Sequence, residues 1–427
     1  MTATVAVSPP AAGACGGGLT ATVLVPAHAD QPTIVRCLHA IQASSYPLER
    51  VVVVAYDGPG ADNSAALARA CGVEVWTTPD PSKDGKQNLV LPTITSDVVV
   101  GFDADTFPEP DCIALELAAL AGGYDAVGGT VLPAQAKGFF IRARRYAYAL
   151  GRRWWRWSQS KVGRIQVLTG ACYAFRTDAL KAIGGFPSVG ISADMDATWA
   201  LHRAGFRVGY IGRATALTMD PETFAAYRAQ MQRWAAGYFQ TMAKHKRGLL
   251  HPKAMLVVWT ALFDLLTLPL SYGLLGWGLI THKPWVAGYG WFMAGRLAFN
   301  TMLVATVVGP REAVCGAVPY TLVNLYNKAL YLWSFVREWI LGRHYGAWTG
   351  RHGHTKVIHP MTRERRAALA TLTAVVLTAA AVRYAPPPQP PPAPPPPATV
   401  VLPPPPPNTI ISPDGSADTQ PQDQEAP

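Results

Sequence analysis

With 427 residues, 49% of them hydrophobic and only 15% charged, the chain has room for one large domain or two ordinary ones with appendages, and it is too apolar to be soluble throughout. A net charge of +10 could serve nucleic acid, but seven Lys or Arg beside two Glu gather at 337–366, directly after an apolar region, as in a cytoplasmic juxtamembrane segment. Charge placed this way marks a membrane side and argues against a nucleic-acid partner.

The six cysteines (Cys15, Cys37, Cys71, Cys112, Cys172, Cys315) show neither paired spacing nor a C-x-x-C. Their spacing suggests neither a disulfide framework nor a zinc site and favours a reducing cytosol. Residues 1–19 lack the charged start and continuous apolar core of a signal peptide and read as a disordered leader.

"TATVLVPAH" at 20–28 reads as a buried strand ending at Pro26, and the following segment carries Ile34, Leu38 and Ile41 at helical spacing. "RVVVVAYDG" is a second strand ending on Asp57 and Gly58; a helix with Ala65, Leu67 and Ala70 and a short strand "VEVWTT" come next. The loop "PDPSKDGKQN" and a helical stretch lead into "DVVVGFDAD". Continuous apolar strands alternating with helices predict a doubly wound α/β sheet covered on both faces. In such sheets ligands sit beyond the carboxyl ends of the strands, which is where Pro26, Ala27 and His28, Asp57, and Asp103 and Asp105 all fall. If the D-x-D continues the extended strand, its two carboxylates point to one side and can face one cation.

The run 142–157 holds six Arg interleaved with Tyr146, Tyr148, Trp154, Trp155 and Trp157, which reads as an interfacial helix. "ISADMDATWALHRAGFRVGYI" supplies an acidic turn, a helix and a further strand; in the helix after it, Gln230, Arg233 and Trp234 share one face. Residues 20–250 are thus expected to form one cytosolic domain.

Residues 251–340 are expected to form a membrane region. Spans at about 254–281 and 285–309 exceed the ~20 residues that cross a bilayer. An interfacial helix is expected at about 313–340. Asp264 and Arg296 interrupt the spans, and such charges face a protein interior or reach for the interface. A basic cytosolic segment (341–366), an apolar stretch barely long enough to cross (367–383) and a proline-rich disordered tail (384–427) complete the chain.

The ordered set "VPAH", "YDG", "GKQN", "FDADT", "TGACYAFR…GGF", "SADMD" and "QMQRW", over about residues 20–240, resembles the family 2 inverting glycosyltransferases. It is most similar to their membrane-bound branch of cellulose, chitin and hyaluronan synthases. The resemblance implies a GT-A type fold, a mixed α/β sheet followed by an α-helical membrane region, and a multi-pass membrane protein with a cytosolic catalytic domain. It also implies a nucleotide-diphosphate-sugar donor, expected as a UDP-sugar, and a divalent cation, Mg²⁺ or Mn²⁺.

Carried over by residue, Pro26, Ala27 and Asp57 would bind the nucleoside, with Lys86 assisting as a point charge. Asp103 would meet the nucleotide or metal and Asp105 would ligate the metal. Asp194 would be the base that takes the acceptor proton, with Asp196 as the runner-up. The family's T-E-D triplet reads Ser192, Ala193, Asp194 here, so the middle acid is missing. Gln230, Arg233 and Trp234 would bind the diphosphate and the acceptor. The transferred group would be a hexosyl or N-acetylhexosaminyl unit; the acceptor could be a glycan, a lipid or a protein-bound group, and membrane lipid would surround the helices. Polymerisation and single transfer both remain open, as does a catalytically inactive sugar-nucleotide-binding scaffold.

Overall fold

The computed structural model describes residues 18–187 and 191–343. Most of the expected leader, the basic segment, the short apolar stretch and the proline-rich tail lie outside the described residues.

The chain opens with β1 (Ala21–Ala27), α1 (Ile34–Gln42), β2 (Arg50–Tyr56), α2 (Ser64–Ala70), β3 (Glu74–Thr78), α3 (Lys83–Val90) and β4 (Val98–Phe102). β3, β2, β1 and β4 lie side by side and all parallel, the doubly wound unit expected from their apolar runs. Successive residues of these strands serve opposite faces. Val23, Val25, Val53, Val98 and Val100 pack against Ile34, Leu38 and Ile41 of α1, whereas Leu24, Val52, Val54 and Val99 pack with Val90 and Ile94 on the other face. Each such aliphatic side chain contributes about 1.5–3 kcal/mol when withdrawn from water. Pro26 is tolerated inside β1 because pairing with β4 reaches only Leu24, so its missing N–H breaks no ladder bond on that side.

The next elements are β5 (Thr106–Pro108), α4 (Cys112–Ala121), β6 (Ala126–Pro133), α5 (Phe139–Leu150) and α6 (Arg156–Val162). β7 (Cys172–Arg176), α7 (Thr177–Ala182), α8 (Ala193–Arg203), β8 (Val208–Thr218) and α9 (Phe224–Lys244) complete the sheet domain. Among the described residues eight strands form one mixed sheet in the order β3-β2-β1-β4-β7-β6-β8-β5, with β7 antiparallel to both neighbours and β5 antiparallel to β8.

This topology corrects the extended reading of the D-x-D. β4 is central and β5 lies at the far edge, so the chain must turn between them. It does so through Asp103, Ala104 and Asp105, with the Thr106 N–H donating to the Asp103 carbonyl at 2.9 Å. The two acids share a tight turn instead of one strand face.

α10 (Pro252–Ile280) and α11 (Trp285–Val308) are long and apolar enough to cross a membrane. Many of their apolar side chains point outward, with Ile280 and Trp291 each 79% exposed, while Val258, Leu265 and Val304 are buried. The segment expected as an interfacial helix starts earlier, as α12 (Pro310–Phe335). It packs against α5 and α9 on one side and against α10 and α11 on the other. Asp264 of α10 pairs with Lys328 of α12, so that interrupting charge faces a helix–helix contact.

The run 142–157 also departs from a simple interfacial helix. Trp154, Trp155 and Trp157 are exposed, but Tyr146, Ala149 and Leu150 enter a core with Val304 and Ala313. Arg145 reaches Glu312 at 3.0 Å.

Candidate active site

The D-x-D turn carries Asp103 and Asp105, both half-buried. They flank Cys37 of α1: burial first, then the carboxylates of Asp105 and Asp103, push its thiol well above the usual range. Two carboxylates therefore lie close to one thiol at the end of the central strand.

Opposite them stands Lys83, at the start of α3. Its ammonium bonds the Asp103 carboxylate and donates to the Gly170 carbonyl at 2.7 Å. Gly170 in turn lies against Asp194. A Cβ built at Gly170 would meet Asp194 Oδ2 at 2.8 Å, so only glycine lets the backbone come this close. The approach is fixed by α8: Thr198 donates to the Asp194 carbonyl at 2.6 Å, and its hydroxyl accepts from the Leu168 N–H at 3.0 Å. Asp103, Lys83, Gly170 and Asp194 thus form one contiguous set drawn from four segments.

Asp194 receives the Met195 N–H at 2.8 Å and is closely surrounded by protein. Burial raises its carboxyl above the ordinary aspartate range, against the opposing pull of Lys83. Asp196, two residues on, faces away, its buried carboxylate held by Lys244 and by the His245 ring, each at 2.6 Å.

Along the same sheet edge, His28 stacks near Tyr56 with ring centroids 4.4 Å apart, and its N–H donates to Asp30 at 2.7 Å. Asp57 is exposed at the end of β2, Pro26 is half-buried and Ala27 is buried. The expected loop Lys86 is instead inside α3 and only 1% exposed, donating to the Pro81 carbonyl at 2.9 Å. Desolvation lowers its pKa to about 8, opposed by Asp80, Asp30 and Asp84.

The chain matches the family described as Glycosyltransferase like family 2 over residues 20–237, and Glycosyl transferase family 21 over residues 130–345. It belongs to the family 2 glycosyltransferases. An N-acetylglucosaminyltransferase of Sinorhizobium fredii is 28% identical over 258 residues, covering 56% of this chain and 62% of that protein. The probable glycosyltransferase YdaM of Bacillus subtilis is 23% identical over 277 residues, covering 61% of this chain and 64% of that protein. The chain therefore spans less than two thirds of the length of these curated relatives. Among solved structures, the mannosyltransferase PcManGT from Pyrobaculum calidifontis, in complex with GDP-Man and Mn²⁺, superposes with a TM-score of 0.52 at 20% identity, covering 76% of this chain and 88% of that one. The sheet and its flanking helices have the GT-A fold.

In this glycosyltransferase Gln230, Arg233 and Trp234 lie on α9, and Arg144 of α5 organises two of them. Its guanidinium donates to the Gln230 side chain and covers the Trp234 ring at 4.6 Å and the Tyr227 ring at 4.9 Å. Arg144 also donates to Tyr148 at 2.8 Å. Arg233 is half-buried.

Reading the motifs alone missed Lys83 and Arg144. Ser82 carries a usable signal for the first, because it caps α3 by accepting the Gly85 N–H at 3.1 Å. Reading "SKDG" as a helix start would have placed Lys83 on the first turn, aimed at the strand ends. Nothing in a run of six arginines separates Arg144 from its neighbours.

Proposed function

We propose that this glycosyltransferase is a membrane-bound inverting enzyme that moves N-acetylglucosamine from a UDP-sugar to a hydroxyl of a growing glycan. The observation that carries the reading is the Asp103–Lys83–Gly170–Asp194 set, which joins a donor-side carboxylate to a half-buried candidate base. The names of the bacterial N-acetylglucosaminyltransferases among its relatives support the sugar. The outward apolar surfaces of α10 and α11 support membrane insertion.

A divalent cation fits the residues present. Asp103 and Asp105 offer hard oxygen donors from one tight turn, both near enough to the Cys37 thiol to raise it. When bound there, Mg²⁺ or Mn²⁺ would neutralise the charge that develops on the leaving nucleoside diphosphate.

The remaining work falls to the chain. Asp57, with Pro26 and Ala27, borders the nucleoside, and Lys86 sits behind them as a buried charge. Asp194 accepts the acceptor hydroxyl's proton as oxygen attacks the anomeric carbon from the face opposite the leaving group. A carboxyl raised by burial is a stronger base than an ordinary aspartate. Arg233 steadies the diphosphate, and Gln230 and Trp234, held by Arg144, receive the acceptor.

The test is nucleoside diphosphate release by purified protein in detergent with Mn²⁺ and UDP-GlcNAc, UDP-glucose or GDP-mannose. Release with UDP-GlcNAc, abolished in Asp105→Ala, is expected. Equal rates in wild type and Asp105→Ala would overturn the site assignment, and release only with another donor would overturn the sugar. Product length then separates polymerisation from single transfer to a lipid or protein-bound acceptor.

A further inference from the structure

Behind the active site lies a second set of chemically active side chains that glycosyl transfer does not use. Cys112 opens α4, Glu116 stands one turn later on the same helix, and Cys172 opens β7. All three are buried, at 1%, 0% and 0% exposure. Their ligand atoms lie within 4.8 Å of one another.

We propose that Cys112, Cys172 and Glu116 bind a borderline-soft divalent cation of the zinc class, distinct from the cation of the D-x-D turn. The spacing suits it. The two sulfurs are 3.6 Å apart, and Cys172 Sγ is 3.5 Å from Glu116 Oε1. A tetrahedral centre with zinc–sulfur bonds of about 2.3 Å and a zinc–oxygen bond of about 2.0–2.2 Å sets its ligand atoms about 3.5–3.8 Å apart. The remaining pair, Cys112 Sγ and the Glu116 carboxylate, lies within 4.8 Å.

Two further observations point to a ligand. Glu116 Oε2 is buried without a hydrogen-bond partner, an arrangement that proteins rarely leave uncompensated. Beside it, Gly129 keeps a space clear. A Cβ there would lie 2.5 Å from Cys172 Sγ, 2.7 Å from the Ala214 carbonyl and 3.2 Å from Glu116 Oε1. The glycine thus leaves room where the Cys172 sulfur and two oxygens converge.

The donor set determines the class of ion. Two thiolates with one carboxylate favour zinc over Mg²⁺, Mn²⁺ or Ca²⁺, whereas the D-x-D pair offers only hard oxygens. Without metal, the Cys172 S–H donates to Glu116, whose carboxyl burial pushes up to about 8. Binding displaces these protons into solvent, so uptake strengthens as the pH rises. The ion would tie the start of α4 to the start of β7, just after Gly170, and so brace the backbone that Lys83 and Asp194 share.

The experiment measures zinc by mass spectrometry in full-length protein purified in detergent from zinc-supplemented cells, followed by Co²⁺ reconstitution. One zinc per chain and a thiolate-to-cobalt charge-transfer band in the near ultraviolet are expected. Asp105→Ala should keep both features, and the double variant Cys112→Ser, Cys172→Ser should lose both. If the double variant does not fold, Glu116→Gln provides the test: it should weaken zinc retention against a chromogenic chelator by on the order of 10–100-fold, the size of effect seen even for outer-shell changes. Folded wild type with neither zinc nor the cobalt band, zinc kept by a folded double variant, undiminished retention in Glu116→Gln, or a Cys112–Cys172 disulfide in the non-reduced intact mass would each overturn the proposal.

Discussion

Lys83 bonds the carboxylate of Asp103, so the acid at the end of the central strand already carries a cationic partner supplied by the chain. A divalent ion and diphosphate bound there, as proposed, would have to compete with, or rearrange, this contact. Replacing Lys83 by Met removes the competitor and also a positive charge beside the leaving group. The Mn²⁺ concentration for half-maximal activity should fall, while kcat drops by on the order of 10–100-fold, somewhat less than the loss of one dedicated charge-stabilising donor. A Mn²⁺ titration of nucleotide release reads both. An unchanged metal requirement and an unchanged kcat would show that Lys83 is a bystander.

Asp194 predicts a pH profile. As the proposed base its carboxyl would have to be ionised to accept a proton, and burial raises its pKa. Of the groups around it, Lys83, Arg156 and the Met195 N–H favour the ionised form, and Asp103 opposes it. Because the net shift is upward, activity should fall with decreasing pH through a value above the ~3.9 of an ordinary aspartate. Asp194→Asn should remove this acid limb and lower kcat by on the order of 10²–10⁴. Donor affinity, followed by calorimetry, should hold.

Asp196 should behave in the opposite way. It is 2% exposed and takes Lys244 and His245 at 2.6 Å each, tying α8 to the end of α9. Asp196→Ala leaves those groups without their acid. The expected loss is about 3 kcal/mol, the lower end for breaking a buried pair, because the Lys244 side chain is 41% exposed. Denaturant unfolding reads the loss, while kcat per folded molecule should stay near wild type. A kcat as low as that of Asp194→Asn would reverse the choice of base.

The contrast between these two acids shows what the linear order could carry. Val23, Val25, Val52 and Val54 announce buried strands by composition, and the parallel half of the sheet follows from their alternation with helices. Asp57, Asp103 and Asp105 could be placed at strand ends for the same reason. The turn through Asp103–Asp105 could not be read, because it depends on β5 pairing with β8 across the sheet. The roles of Lys83 and Arg144 were hidden for a related reason: each is set by a partner more than a dozen residues away, Asp103 in one case and Gln230 in the other. Cys112 and Cys172 met no spacing rule, since the packing of α4 on β7 joins them and a short motif does not.

Arg144 holds together the face proposed to receive the acceptor, and its replacement tests that role. Its guanidinium plane covers Trp234 while its N–H groups serve Gln230 and Tyr148, with Asp220 at 3.9 Å balancing the charge. Lysine keeps the charge but has neither the plane nor the fork, so it cannot hold both partners. Arg144→Lys should therefore cost about 2 kcal/mol of stability, the scale of a lost hydrogen bond to a charged group. It should also raise the acceptor KM while leaving the donor KM unchanged, because Asp103 and Asp105 lie on a different turn from α9. Thermal melts and initial rates at fixed donor and varied acceptor measure the two effects separately. A rise in donor KM alone would move Gln230 and Trp234 from the acceptor side to the nucleotide.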